Sequence, residues 1–260
     1  MKNDVEKSFL KLSILLPVRN EGINIELMLK ILEAVLDVPH EILIIYDSPK
    51  DDTIPIIRKI RKRFTNIKTV HNRYGKGAVN AVKAGVEKSK GKYILILAVD
   101  DVGPTLAIDD MVNLMDKGCD LVSCTRYKFG GRRLGGSFIE AIISMTGNWF
   151  FNLLCGSAFS DSTTGFKMFR KNLFSIITLE SKPIGWAFVF EIAVKAQVIG
   201  LKLGEVPIIS IDRLYGGKSS FIFSPWLREY LRWFLYGALH FQALMHNRKV
   251  LVRIPKTTTS

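Results

Sequence analysis

Apolar and polar positions along this chain follow two rhythms. Short runs rich in Ile, Val and Leu fall at residues 12–17, 41–46, 67–70, 93–98, 120–125 and 205–210, and their length and β-branching predict strands. Between them, residues 23–36, 53–64, 76–89, 106–116, 138–154 and 188–199 carry apolar positions at helical spacing, which predicts helices. Strand and helix in alternation predict an α/β fold, a Rossmann-like and mostly parallel central sheet flanked by helices. No internal repeat or low-complexity stretch interrupts the pattern.

In an open α/β sheet, ligands bind beyond the carboxyl ends of the strands, and here those places are polar. Residues 17–21 follow the first predicted strand with Arg19, Asn20 and Glu21; residues 47–52 follow the second with Asp47, Asp51 and Asp52. Asp100 and Asp101 close the fourth. A later segment, residues 225–245, sets Trp226, Tyr230, Trp233 and Leu235 among Arg228, Glu229 and Arg232. Its unbroken apolar stretch is far short of the roughly 20 residues that span a bilayer. Two readings stay open for it: an amphipathic helix lying in a membrane interface, or a helix packed on the domain or in a dimer. The expected organisation is a domain at 1–221, an amphipathic helix at 222–246 and a loose basic tail at 247–260.

At 260 residues and 48% hydrophobic composition, the chain can bury a full core and suits one α/β domain. Residues 1–10 carry scattered charge and offer no signal-peptide core ahead of the first strand, so a cytoplasmic location is expected. Cys119, Cys124 and Cys155 have no metal-site spacing and read as buried, reduced thiols. Lys plus Arg exceed Asp plus Glu by 37 to 24, a formal charge of +13. That field draws phosphate-bearing partners and anionic lipid. Nucleic acid is not expected, because no recognisable binding module or aromatic-interleaved basic stripe is present.

Carboxylates crowded at neighbouring strand ends repel one another, and a divalent cation removes that repulsion. Mg²⁺ or Mn²⁺ takes one or two carboxylates and completes its shell with water and phosphate oxygens. Asp100 and Asp101 therefore suit a metal that bridges a nucleotide diphosphate, although an Asp at such a place equally caps a helix or stabilises a turn.

Taken together and in order, these segments resemble family 2 glycosyltransferases, most closely the dolichyl-phosphate mannosyltransferase and polyprenyl-phosphate glycosyltransferase group, from about residue 12 to 221. Pro17, Asn20 and Glu21 match the family's P-x-x-N-E after its first strand; Asp47 falls on the second Asp of its V-D-D-G-S segment, with Tyr46 in place of the first. Gly75, Lys76 and Gly77 open the matching helix. The group's D-x-D becomes Ala98, Val99, Asp100, so the first carboxylate is missing and Asp101 is the residue that could compensate. Arg126 and Tyr127 match S-R-Y, and residues 161–170 match D-x-T-S-G-F-R-x-x-R with Lys167 for the first Arg. Ser144 and Asn148 match the group's S-x-x-x-N helix, but Glu140 stands where a basic residue usually precedes it, so Arg132 or Arg133 must take over.

The resemblance implies a GT-A-type domain. It implies donor contacts at Pro17, Arg19, Glu21, Asp47, Lys76, Val99 and Asp100, and an Mg or Mn ion on Asp100 and Asp101. Catalytic roles fall to Asp100, Arg126, Arg213 and Lys218, the last two on a lid over the donor pyrophosphate. Arg126, Arg132, Arg133 and Lys167 would receive an acceptor phosphate. The function expected is inverting transfer of a sugar from a nucleotide-diphosphate sugar to a polyprenyl phosphate, at the cytoplasmic face of a membrane. A lipid phosphate is already an oxyanion and needs cations to steer it, whereas a sugar hydroxyl needs a carboxylate base. The alternatives are a family 2 transferase that acts on a carbohydrate hydroxyl with Asp161 or Glu191 as base, and a catalytically silent nucleotide-sugar-binding protein.

Overall fold

The computed structural model describes residues 10–212 and 223–254. The chain runs through β1 (Leu12–Val18), α1 (Gly22–Val35), β2 (His40–Tyr46), α2 (Thr53–Ile60), β3 (Ile67–His71), α3 (Ala78–Lys88) and β4 (Tyr93–Ile96). A 3-10 turn, Gly103–Ala107, leads to α4 (Ile108–Asp116), β5 (Leu121–Thr125), β6 (Arg132–Gly135) and α5 (Phe138–Cys155). Then follow β7 (Lys167–Arg170), α6 (Leu173–Ile176), α7 (Ala187–Val198), β8 (Leu203–Pro207), β9 (Ile209–Asp212), α8 (Phe223–Leu239), α9 (Phe241–His246) and β10 (Val250–Val252).

Eight strands form one sheet in the order β10-β8-β5-β7-β4-β1-β2-β3. All neighbours pair in parallel except β7, which lies antiparallel between β4 and β5. The period of two along each strand sorts the apolar residues to both faces. Leu12, Ile14 and Leu16 of β1 join Met28, Leu29 and Leu32 of α1 in one core. Leu15 faces the other way, into a core with Val82 of α3 and Phe188 and Ile192 of α7. Burial on both faces is what a parallel sheet requires, and the polar Ser13 within β1 is satisfied by donating to Glu41 at 2.7 Å. The three cysteines are free and buried, as expected.

The structure differs from the expected pattern in three places. The run at 205–210 is two strands: β8 continues the main sheet, while β9 turns away to pair with β6 in a separate two-stranded ribbon. Lys167 and Arg170 lie on β7, a strand that none of the expected runs covers. The tail expected to be loose from residue 247 instead adds β10 to the sheet edge beside β8. Arg253 then donates its backbone N–H to the Glu205 carbonyl at 3.1 Å, and its side chain reaches Asp110 and Asn113.

Removing residues 250–260 should therefore lower the melting temperature measurably, at roughly 2–4 °C per kcal/mol lost in a domain of this size. Differential scanning calorimetry of the truncated chain checks this; an unchanged transition would mean that the strand contributes nothing.

Candidate functional site

The carboxyl ends of β1, β2 and β4 open together into a cleft of about 1000 Å³. Pro17, Arg19, Glu21, Asp47, Lys76, Val99 and Asp100 all line it, so the seven positions expected to meet a donor are gathered in one place. Residues 183–186 and Trp226 form the facing wall. Gly185 sits there with φ +58°, and a methyl group on it would press to 2.3 Å from the Trp226 ring. Only glycine allows both that backbone conformation and that approach.

Most acids at this edge are held by backbone N–H groups. Asp47 accepts from the Asn72 amide at 2.7 Å and from the Gly77 N–H at 3.0 Å, which fixes the loop bearing Lys76. Asp51 accepts from the N–H groups of Asn20 and Thr53, and Asp52 from that of Gly22. These donors belong to the approach to α1 and the start of α2, where helix dipoles favour negative charge. Glu21 is bonded by the Asn24 amide at 2.8 Å. Burial pushes its carboxyl up, against that hydrogen bond, and the nearby charges of Asp100, Asp52 and Asp51 push further.

Asp101 does not join Asp100 on the cleft wall. It is 7% exposed and turns to β9, accepting from the Ser210 hydroxyl, the Ile211 N–H at 2.8 Å and the Gly103 N–H at 3.3 Å. With both oxygens engaged it does not replace the carboxylate missing at Ala98, which corrects the expected metal pair. Among the described residues no three His, Cys, Asp or Glu side chains converge as a metal cage. A hard divalent ion needs only one or two carboxylates when phosphate oxygens complete its shell, so Asp100 fits an ion that arrives with a diphosphate.

Arg126 and Lys167 are also corrected. Arg126, 14% exposed at the side chain, forms a forked pair with Asp161 at 2.7 and 3.0 Å and also donates to Ser144 and Thr163. Burial opposes its charge, but the Asp161 carboxylate holds the guanidinium above its usual range, and Asp161 is correspondingly held low. Asn148 donates to Asp161 at 3.2 Å and to Thr163 at 2.8 Å, so this pair fastens α5 to the end of β5. Lys167 is fully buried, donating to Ser123 at 2.8 Å above the Phe159 ring. Burial brings its pKa down to about 8, against the pull of Asp161 and Glu205. Lys167 thus has no surface for a phosphate from solvent to reach, and Arg126, still partly exposed, is already engaged by Asp161.

Arg132 and Arg133 stand on β6, the first exposed and the second within 3.7 Å of Glu140 on α5. Arg213 and Lys218 lie outside the described residues. Sequence reasoning missed the outward face of α5: Phe138, Ile139, Trp149 and Leu153 are all more than half exposed. Its length and hydropathy carried the signal, since it alone among the described helices is long and apolar enough to cross a membrane.

A model of the family described as Glycosyl transferase family 2 matches residues 13–177. A dolichol-phosphate mannosyltransferase of Pyrococcus furiosus is 24% identical over 232 residues, which is 86% of this chain and 64% of that protein. A dolichyl-phosphate beta-glucosyltransferase of Dictyostelium discoideum is 27% identical over 227 residues, 80% of this chain and 68% of that protein. The chain thus spans about two thirds of the length of these relatives. Glucosyl-3-phosphoglycerate synthase from Mycobacterium tuberculosis, crystallised with Mn²⁺, uridine diphosphate and glucosyl-3-phosphoglycerate, superposes with a TM-score of 0.61 at 14% identity, covering 98% of this chain and 84% of that one. That likeness establishes a shared GT-A fold.

The buried charges beneath the site set a pH dependence. Glu205 accepts from Ser160 and Asp161 N–H groups, and burial raises its pKa from 4.5 to about 7. Between those values the folded chain holds a proton that the unfolded chain has released, so this group's contribution to stability falls as pH rises. Glu205→Gln should gain on the wild type in melting temperature from pH 5 to pH 7.5. A difference that stays constant across that range would refute the assignment.

Proposed function

The chain belongs to glycosyl transferase family 2, and on that premise we propose that it moves a sugar from a nucleotide-diphosphate sugar to a polyprenyl phosphate, with inversion, at the cytoplasmic face of a membrane. The nucleotide occupies the cleft between Glu21, Asp47 and Asp100, with Arg19 and Lys76 as counter-charges. Asp100 would hold the Mg²⁺ or Mn²⁺ that comes with the donor, and the ion would supply positive charge for the departing diphosphate. One acceptor oxygen attacks the anomeric carbon as the bond to the diphosphate breaks on the opposite face. No covalent sugar intermediate is needed.

The observation that carries the lipid-phosphate reading is the state of the two carboxylates that would serve a hydroxyl acceptor as base. Asp161 is fully buried and paired with Arg126. Glu191 is fully buried, accepts from the N–H groups of Glu180 and Ser181, and pairs with Lys195 at 2.7 Å. A phosphate acceptor is already an oxyanion at neutral pH and needs no base, so the sequestration of both acids is no obstacle to it. Arg132 and Arg133 are the described cations we assign to it.

The membrane reading rests chiefly on α5. Asn148, Phe151 and Cys155 are its buried residues, and the rest of its apolar surface faces outward. Because Asn148 is bonded to Asp161 and Phe151 packs on Phe190 and Phe234, the helix lies along the fold with one face outward. That arrangement suits shallow insertion at an interface. Lys128, Arg132 and Arg133 precede it and Arg248 bonds to Asn152 in its last turn, placing cations at both ends for anionic headgroups. α8 contributes Leu227, Leu231, Leu235 and Leu239, spaced by four and exposed, while its Trp233 is buried against the domain. Its inward face packs on the domain, and the exposed leucines support the interfacial reading for the other.

With a panel of nucleotide sugars, the chain should glycosylate a polyprenyl phosphate and invert the anomeric centre, and Asp100→Ala should reduce kcat/KM roughly 100-fold or more. Turnover confined to carbohydrate hydroxyls would defeat the proposal. In vesicle flotation with anionic lipid, the double substitution Trp149→Glu and Leu153→Glu should release the protein from the membrane while nucleotide binding persists. Equal flotation of variant and wild type would remove α5 from the interface.

A further inference from the structure

The β6–β9 ribbon is separate from the main sheet, yet it meets the strand end that presents Asp100 through a dense set of contacts. Asp101 accepts from the Ser210 side chain and the Ile211 N–H, bridging more than a hundred residues of sequence. Two residues on, Gly103 lets the ribbon's backbone lie against it: a methyl group there would stand 1.7 Å from the Ile209 carbonyl oxygen. Ile209 pairs across the ribbon with Arg132, and Ser210 with Arg133. Ile209, which lies on Gly103, and Ser210, which bonds Asp101, are thus the cross-strand partners of the two arginines.

We infer that Asp101 is a positioning residue for the acceptor, which ties the arginine-bearing ribbon to the strand end carrying Asp100 and so sets the distance between acceptor cations and donor diphosphate. A carboxylate suits the task because it accepts from a hydroxyl and two N–H groups at once, whereas a neutral amide keeps the N–H bonds only by reversing the third, its amide N–H donating to the Ser210 oxygen. Its neighbour Asp100 opens on the cleft, so two successive acids divide the work, one toward the donor and one toward the ribbon. The anchoring stands on the contacts alone; the identity of what the arginines meet rests on the lipid-phosphate reading above.

The test compares Asp101→Ala, Asp101→Asn and Ser210→Ala with the wild type by three measurements. These are steady-state kinetics on polyprenyl phosphate, calorimetric binding of a nucleoside diphosphate with Mn²⁺, and amide hydrogen exchange. Asp101→Ala should raise KM for the lipid phosphate by on the order of tenfold and speed exchange at Ile211, because buried donors lose their acceptor. Asp101→Asn should fall between it and the wild type, and Ser210→Ala should shift in the same direction by less. Nucleotide affinity with Mn²⁺ should stay within about twofold. Loss of metal-dependent nucleotide binding in Asp101→Ala would overturn the inference by making Asp101 a ligand, and so would an unmoved acceptor KM despite faster exchange. If the wild type turns over no lipid phosphate, the functional reading fails by itself. Exchange at Ile211 then still decides the anchor, unchanged exchange refuting it and faster exchange supporting it.

Discussion

Carboxylates gathered at one edge of a buried parallel sheet repel each other, and this chain meets that repulsion mainly with backbone N–H groups. Asp47 holds the loop before α3, Asp51 and Asp52 hold the chain around the starts of α1 and α2, and Asp101 holds β9. Each acid removes charge repulsion and orders a loop by the same hydrogen bonds. The cleft is consequently built before any ligand arrives, with its loops tied to one another across the sequence. Such prior ordering reduces the entropy lost when a substrate is fixed in place.

A second group of polar contacts does comparable work deeper in the molecule. The forked Arg126–Asp161 pair receives Ser144 and Asn148 from α5, while Glu205 and Lys167 lie beneath it in the sheet. Removing one member of such a buried pair strands the other's charge, so the arrangement is costly to break even where its net contribution is small. It also allows a helix with a predominantly apolar exterior to stay attached by a few polar pins. The outward residues of α5 are thereby released from packing duty.

Much of this was legible in the chain before the fold was known. The strand ends carrying Glu21, Asp47 and Asp100 were marked by apolar runs that stop abruptly at polar residues, and the parallel sheet brings those stops together. The six expected helices each appear within a few residues of their place. What escaped was direction. Asp100 and Asp101 are chemically identical neighbours, and only the position of β9 decides which of them turns from the cleft. Lys167 and Arg126 were expected to meet an acceptor phosphate because charge is seldom buried, and nothing local announces that Ser123 and Asp161 await them. β6, β7 and β10, of three or four residues each, are too short for any periodicity to register.

The antiparallel strand β7 has a bearing on how the polypeptide reaches this state. It sits between β4 and β5 and, among the described residues, is the strand that joins two blocks of parallel strands, β3-β2-β1-β4 on one side and β5-β8-β10 on the other. The first block is complete in sequence by residue 96, but the seam cannot close until residues 167–170 have emerged. During synthesis the amino-terminal block would thus wait with the β4 edge unpaired, exposing hydrogen-bonding groups to other nascent chains. The middle of this sheet is closed by a four-residue segment that lies about seventy residues beyond the strand it completes.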